Sequence, residues 1–497
     1  MTNAHDGFNK LHPTFGNAVT YFKTVSPEIY LVGGIIRNTL LGQKTTDLDL
    51  AVVGDGLPVG SLAAQHLGGT FIILDQKRGI SRVIIKGSEP IQIDITSASK
   101  GIEADLADRD FTINSMAIEI DQISDDLLFA RSSIIDPHNG YNDLKSGLIK
   151  SVSKTSLISD PIRMMRAVRF SANSNFEISK NTRQGIQDNS KLLKDVSIER
   201  VRDELLKIFD THCTYRSLIL MNQLGITEQI IPELSVTKGI KQPDSHIWDV
   251  HDHMIETVGN LENILQRKAK CMETRSKVFN LVPIFEGIED YFDQRVGSGH
   301  TRLTTLKLAC LLHDIGKPAT RTEDTNGRIR FLEHSEVGVE IATQLLERLR
   351  ISKKMIALVC LEIKHHLRPS QVSPAGQLPS SKAIYRYYRD LGEVALDTLY
   401  LSMADHLSAG GPALKLKEWA AYCEVIKHLM NKGLVENSLN GSNKLLSGHD
   451  IMERLCLKPG PLIGVLLEKV EEARFEEKIK DKEEAIRFLE SKIKSGE

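Results

Sequence analysis

At 497 residues the chain exceeds what one ordinary hydrophobic core organises, so two to four domains are expected. Its 41% hydrophobic and 26% charged content excludes a disordered or fibrous protein, and no stretch approaches the roughly 18 apolar residues of a membrane span. A net charge of −2 excludes a globally basic chain, though a local basic groove would still hold a nucleic-acid backbone.

Six cysteines (Cys213, Cys271, Cys310, Cys360, Cys423, Cys456) form no CxxC pair. Reduced thiols and an N-terminus, MTNAHDGFNK, without a signal-peptide pattern point to a cytoplasmic enzyme.

Between Ile29 and Ile120 short β-like runs alternate with polar breaks: IYLV, LDLAVV, TFIIL, RVIIK, IQIDIT and FTINSMAIEI. The helix-like IIRNTLLG separates the first two, so an α+β head on a mixed sheet is expected. From about Ser159 the pattern turns helical, as in DPIRMMRAVRFSA, ERVRDELLKIF and TLKLACLLHDIG, with apolar residues three and four apart. Breaks are expected near 235–245, 295–301 and 437–447. Residues 468–494 read as a highly charged, solvated amphipathic helix that closes the domain.

Two groups of residues carry chemistry in the head. Gly33 and Gly34 follow a strand and open a helix, whose free N–H groups suit a triphosphate, with Arg37 one turn on to clamp it. Thirteen residues after Gly34, Asp47 and Asp49 lie two apart on a strand, so both carboxylates share a face and suit Mg²⁺. Asp94 in IQIDIT offers a third carboxylate or a merely solvated one. In this order and spacing the elements resemble the nucleotidyltransferase superfamily that includes DNA polymerase β.

Further motifs narrow the resemblance. Arg109-Asp110-Phe111-Thr112-Ile113-Asn114 resembles RRDFTINA, and Asp160 to Phe170 resembles EDPLRMLRAVRF. Ile135-Asp136-Pro137 with Asp143-Leu144, and Glu199 to Leu205, resemble IDP…DL and ERxxxEL. All belong to the class II CCA-adding enzyme and bacterial poly(A) polymerase family, and the resemblance runs over about residues 29–235. It implies template-independent nucleotide addition to tRNA 3′ ends from CTP and ATP. Asp47 and Asp49 would be catalytic. Gly33, Gly34, Arg37, Arg109, Asp110, Asn114, Asp160, Arg163 and Arg166 would bind the nucleotide.

Base choice has a physical rationale. Pro161 suits a first helical turn, Asp160 lies at or near its cap, and Arg163 is three residues on along one face. A carboxylate accepts from an exocyclic amine and a guanidinium donates to a ring acceptor, an order that cytosine and adenine share and uracil and guanine reverse. A mismatch would leave a buried polar group unpaired, at about 1–3 kcal/mol. Asn38, Asp108 and Ser159 depart from the family's residues, and only Ser97 to Glu103 separate Thr96 from ADLADRD. Members that complete CCA, or add A, carry a flexible loop there. The short segment resembles CC-adding members.

A second centre is expected at His313-Asp314 after an apolar helix, with His253, His334, His366 and Asp405 in order around it. The pattern resembles the HD phosphohydrolase superfamily. That implies one metal on His253, His313, Asp314 and Asp405, a second on His334 and His366, and a transition metal such as Ni²⁺, Co²⁺ or Mn²⁺. His251 and His365 are the lesser members of their pairs. Hydrolysis of phosphomonoesters or 2′,3′-cyclic phosphates would follow.

The expected layout is a nucleotidyltransferase head (1–155), a helical neck or RNA-binding region (156–235), an HD domain (236–436) and a helical tail (437–497). The rivals are a poly(A) polymerase, and an HD phosphohydrolase whose head only binds nucleotide or RNA. The sequence carries no signature of oligomeric state.

Overall fold

A computed structural model describes residues 8–25, 28–87, 90–243, 246–265, 277–374, 377–411, 414–439 and 445–494. Cys271 lies outside them. The chain divides into two compact units, Met1–Glu204 with Leu220–Ile230, and Leu205–Ile219 with Ile231–Glu497.

The first unit is built on a six-stranded sheet. Its strands are β1 (Ile29–Val32), β2 (Asp47–Val52), β3 (Thr70–Asp75), β4 (Ile80–Ile85), β5 (Ile91–Ser97) and β6 (Ala117–Glu119), in the spatial order β3-β4-β5-β2-β1-β6. Only β2 and β5 run parallel; the other pairs are antiparallel. The two-residue period of a strand places Leu48 and Leu50 of β2, and Ile93 and Ile95 of β5, in the core. Asp47, Asp49 and Asp94 then emerge on the other face. The expected strand FTINSMAIEI is shorter than its pattern: Thr112–Asn114 form a 3₁₀ turn and only Ala117–Glu119 pair.

Helix α1 (Gly34–Leu40) follows β1, α2 (Gly56–Leu67) follows β2, and α3 (Ile102–Ala107) follows β5. Gly60 of α2 allows close packing on the sheet, because a Cβ there would meet Ser81 Oγ at 2.6 Å and Phe71 at 2.9 Å. Helix α4 (Arg163–Ser174) buries Met164, Met165, Val168 and Phe170. Its cap is Ile162. Asp160 and Pro161 therefore precede the helix: Asp160 is extended, and the amide of Arg163 closes a turn onto its carbonyl at 3.1 Å. Helix α5 (Ile198–Phe209) spans the division between the units.

Among the described residues the second unit is helical except for two short hairpins, one of which, Arg295–Gly297 with His300–Thr301, occupies the expected break. Its main helices are α6 (Val250–Leu265), α7 (Arg302–Leu312), α8 (His334–Arg348), α9 (Lys353–His365) and α10 (Ala395–Gly410). Every residue of α7 is buried. Lys307 tolerates this because its ammonium meets Glu262 at 2.9 Å, Thr214 Oγ1 at 2.9 Å and the Thr211 carbonyl at 2.5 Å. Thr301 and Ser352 cap α7 and α9 with their hydroxyls.

Toward the C-terminus the third expected break moves. Helix α11 (Leu416–Leu439) continues through 437–439, and 440–444 lie outside the described residues. Ser447 then opens α12 (Gly448–Leu455) with a capping box to Asp450. The charged 468–494 stretch is two helices, α13 (Pro461–Phe475) and α14 (Lys482–Lys494), separated by a turn in which Glu477 has φ 58°. Its apolar face packs as an amphipathic helix should: Val470, Ile479, Ala485 and Leu489 form a core with Leu446, Ile451, Ile463 and Leu466. Among the described residues no helix is long and apolar enough to cross a membrane.

Candidate functional site

In the head, β1 ends at Gly33, whose φ of 71° turns the chain into α1. The backbone there lies in the left-handed region that favours glycine, and a Cβ would meet Arg109 Nη1 at 2.5 Å, so the end of that arginine would have to move. Gly34 lies against Asp49, whose carboxylate its amide hydrogen-bonds. Burial pushes the Asp49 carboxyl above the ordinary range, and Asp94 and Asp47 add to this against the pull of Arg109. Such crowding of carboxylates is what a divalent cation relieves, and the oxygen donors suit Mg²⁺.

Asp94 is not simply solvated. Arg82 grips both of its oxygens, Nε to Oδ1 at 2.7 Å and Nη2 to Oδ2 at 2.8 Å. Arg109 is held by Asp105, four residues earlier, at 2.9 Å through both Nε and Nη2.

Around Asp110 a chain of polar groups closes. Its Oδ1 accepts from the Phe111 amide at 2.8 Å and Asn114 Nδ2 at 2.9 Å, and Oδ2 accepts from Arg166 Nε at 2.8 Å and Nη2 at 2.7 Å. Burial alone would raise this carboxyl, but Arg166 and Asn114 outweigh it and hold it below the ordinary range. Asn114 accepts in turn from Arg37. Arg37, Arg166 and Arg169 gather over the ring of Phe170, at 4.8, 5.4 and 4.5 Å from its centroid. Burial lowers Arg37 to about 10, and Asn38 Oδ1 accepts from its Nε and Nη2 at 3.1 and 2.9 Å.

The expected base-reading pair is arranged differently from an intrahelical ion pair. Arg163 Nε is 3.9 Å from Asp160 Oδ2, while Arg200 reaches the same oxygen at 2.9 Å. Arg163 spends most of its donors on the neighbouring chain: Nη2 on the Asp108 carbonyl at 2.6 Å, and Nη1 on Ser156 Oγ at 2.9 Å and the Arg109 carbonyl at 3.3 Å. It ties α4 to the segment bearing Arg109 and Asp110. The reason is the extended backbone at Asp160, which breaks the helical spacing that the sequence suggested.

In the second unit His253, on α6, meets Asp405 of α10 at 3.0 Å, His313 at 3.3 Å and Asp314 Oδ2 at 3.4 Å. His334, at the start of α8, lies 3.4 Å from Asp314 Oδ1 and 3.4 Å from His366. Three overlapping groups have metal-ligand spacing: His253-His313-Asp314, His313-His366-Asp405 and Asp314-His334-His366. Asp314 turns Oδ2 toward His253 and His313 and Oδ1 toward His334 and His366. Ring orientation is set from behind. His313, His334 and His366 each place Nδ1 2.7–2.9 Å from the carbonyl three residues earlier, which leaves Nε2 to face the centre. Burial would lower His313, but Asp314 and Asp405 raise it to about 10; burial and His313 lower His366 to about 4. His251 faces elsewhere, onto the Leu234 carbonyl, and neither it nor His365 joins a group.

Several site residues escaped sequence reasoning. Lys317 is 2.6 Å from Asp314 Oδ2 and 2.6 Å from Gln242, and the ring of His246 packs edge-on against His253. Lys317 and Asp105 had a signal in their three- and four-residue spacing. Arg82, Arg200, Gln242 and His246 had none, because their partners are set by register and helix packing.

Three family models match segments of the chain. The family described as the poly A polymerase head domain matches residues 29–150, the probable RNA and SrmB-binding site of polymerase A matches 175–237, and the HD domain matches 251–410. An A-adding tRNA nucleotidyltransferase of Deinococcus radiodurans is 29% identical over 93% of this chain and 95% of its own length. A CC-adding tRNA nucleotidyltransferase of Thermus thermophilus is also 29% identical, over 93% of both chains. A CCA-adding enzyme in its apo form shares the fold at a TM-score of 0.62, with 22% identity and 98% of each chain covered. The chain thus carries a poly A polymerase head domain, the RNA-binding region that follows it and an HD domain, and along nearly all of its length it is similar to tRNA nucleotidyltransferases.

Proposed function

We propose that the chain adds CC to tRNA 3′ ends from CTP without a nucleic-acid template. The single observation that carries the CC reading is the connection between β5 and α3. Only residues 98–101 separate the elements, and the Gly101 amide closes onto the Ala98 carbonyl at 3.0 Å. A turn so closed has no length to reshape the pocket from cytosine to adenine. Relatives named A-adding and CC-adding are equally identical to the chain, so overall identity does not separate the two activities.

Asp47 and Asp49 would hold Mg²⁺, which when bound neutralises charge on the triphosphate and the attacking 3′-hydroxyl. Gly33 and Gly34 let the backbone approach the phosphates, and Arg37 and Arg109 face them. Asp160 receives both of its arginines on Oδ2, so Oδ1 can accept the amine of cytosine. Asp110, Asn114 and Arg166 shape the floor. The test is a tRNA lacking CCA, incubated with CTP and ATP and sized. Two added cytidines are expected; addition of all three nucleotides, or of A tracts from ATP alone, overturns the reading.

The HD centre supports a second proposal, metal-dependent hydrolysis of phosphomonoesters or 2′,3′-cyclic phosphates. His253, His313, Asp314 and Asp405 would hold one transition metal, and His334 and His366 with the second Asp314 oxygen another. Turnover with Ni²⁺, Co²⁺ or Mn²⁺ should disappear in Asp314→Ala. Equal, negligible turnover in both proteins refutes it.

A further inference from the structure

We propose that Arg82 is a positioning residue that withholds Asp94 from the metal of the head, so that Asp47 and Asp49 alone supply its carboxylates. The inference rests on the reading of those two residues as metal-binding.

The register of the sheet carries the argument. Asp49 of β2 is the cross-strand partner of Asp94 on β5, and Asp94 is the partner of Arg82 on β4. Direct partners on neighbouring strands project from the same face, with strands about 4.8 Å apart. Asp94 is therefore the lateral neighbour of Asp49. A carboxylate in that place, left alone, would close around any cation that Asp49 holds. Arg82 prevents this by covering both oxygens at 2.7 and 2.8 Å. With the Gln92 amide turned to satisfy both its ends, its oxygen accepts from Arg82 at 3.1 and 3.3 Å, which fixes the guanidinium further. The pair is only 26% and 31% exposed, and its planar two-point geometry is the kind that persists.

The consequence is chemical. Mg²⁺ works in nucleotide transfer with one or two protein carboxylates and fills its remaining positions with phosphate oxygens and water. A third carboxylate would tighten the empty site and crowd out those positions. Arg82 keeps the row at two negative charges and leaves coordination open to the substrate.

Mn²⁺ binding to the full chain, followed by electron paramagnetic resonance, tests this. The head's share is the fraction that Asp47→Ala removes. Arg82→Gln should bind Mn²⁺ at the head about tenfold more tightly, the lower end of what an outer partner changes, and its half-saturating Mn²⁺ for CTP addition should fall in step. Asp94→Asn should stay within about twofold of wild type, and the double variant should return to the wild-type affinity. Unchanged or weaker binding in Arg82→Gln, or a several-fold loss in Asp94→Asn, overturns the assignment of Arg82. Bound Mn²⁺ that Asp47→Ala does not reduce overturns the metal reading of the head itself, and this proposal with it.

Discussion

The two centres hold their charged groups in opposite ways. In the head, Asp47 and Asp49 stand on one strand, their neighbours Asp94 and Arg82 on the next two, and the phosphate turn on a fourth. In the second unit the candidate metal-binding residues come from separate helices: His253 in α6, His313-Asp314 after α7, His334 at the start of α8, His366 after α9 and Asp405 within α10. The head is half open and rich in arginine. The HD centre is buried, with His253 and His313 at 0% exposure and Asp314 at 1%. An open site of this kind suits a substrate that brings its own phosphates to complete a hard cation. A closed set of imidazoles turned by backbone carbonyls suits a resident transition metal.

The sharpest way to break the comparison is to disable one centre at a time. Asp47→Ala should abolish nucleotide addition, read by primer extension on tRNA, and leave phosphohydrolase turnover intact; Asp314→Ala should do the reverse. If either substitution silences both, the centres are not separate.

Next in size is Asp110→Asn, which removes the buried partner of Arg166. A cost of about 3 kcal/mol is expected in denaturant unfolding, the low end for a broken buried pair because Arg166 stays one-third exposed. The pH dependence has a definite sign. Asp110 titrates lower folded than unfolded, so its contribution is full above the unfolded value of about 4 and is lost as pH falls through the folded one. The stability gap between wild type and Asp110→Asn should therefore narrow in acid and stay constant near neutrality.

Gly33→Ala should cost about 1–3 kcal/mol in backbone strain and push Arg109 aside, raising the KM for CTP while HD turnover is unchanged. The smallest effect is expected for Ser447→Ala. Losing the capping box should lower stability by about 1 kcal/mol, seen as a small drop in Tm, with both activities at wild-type level.

Much of this was legible in the chain because it depends on local spacing. The turn at Gly33-Gly34, the shared face of Asp47 and Asp49, and the helical run into His313-Asp314 need only the periods of strand and helix. Spacing placed some details only in part. Asp160 and Arg163 do pair, at 3.9 Å, but Asp160 precedes the helix and Arg163 also donates to the Asp108 and Arg109 carbonyls. The amphipathic 468–494 stretch closes a core as its apolar face implies, but as two helices with a turn at Glu477 rather than one.

The sequence by itself determined the α+β head, the helical remainder and which residues could carry chemistry, because residue type and short-range period are written in the chain. Only the tertiary structure decided which of those residues meet. Arg82 finds Asp94 through sheet register, Arg200 finds Asp160 from another helix, and four helices bring His253, His313, His366 and Asp405 to one point. Those contacts join residues from 12 to more than 100 positions apart, and no local rule of spacing reaches that far.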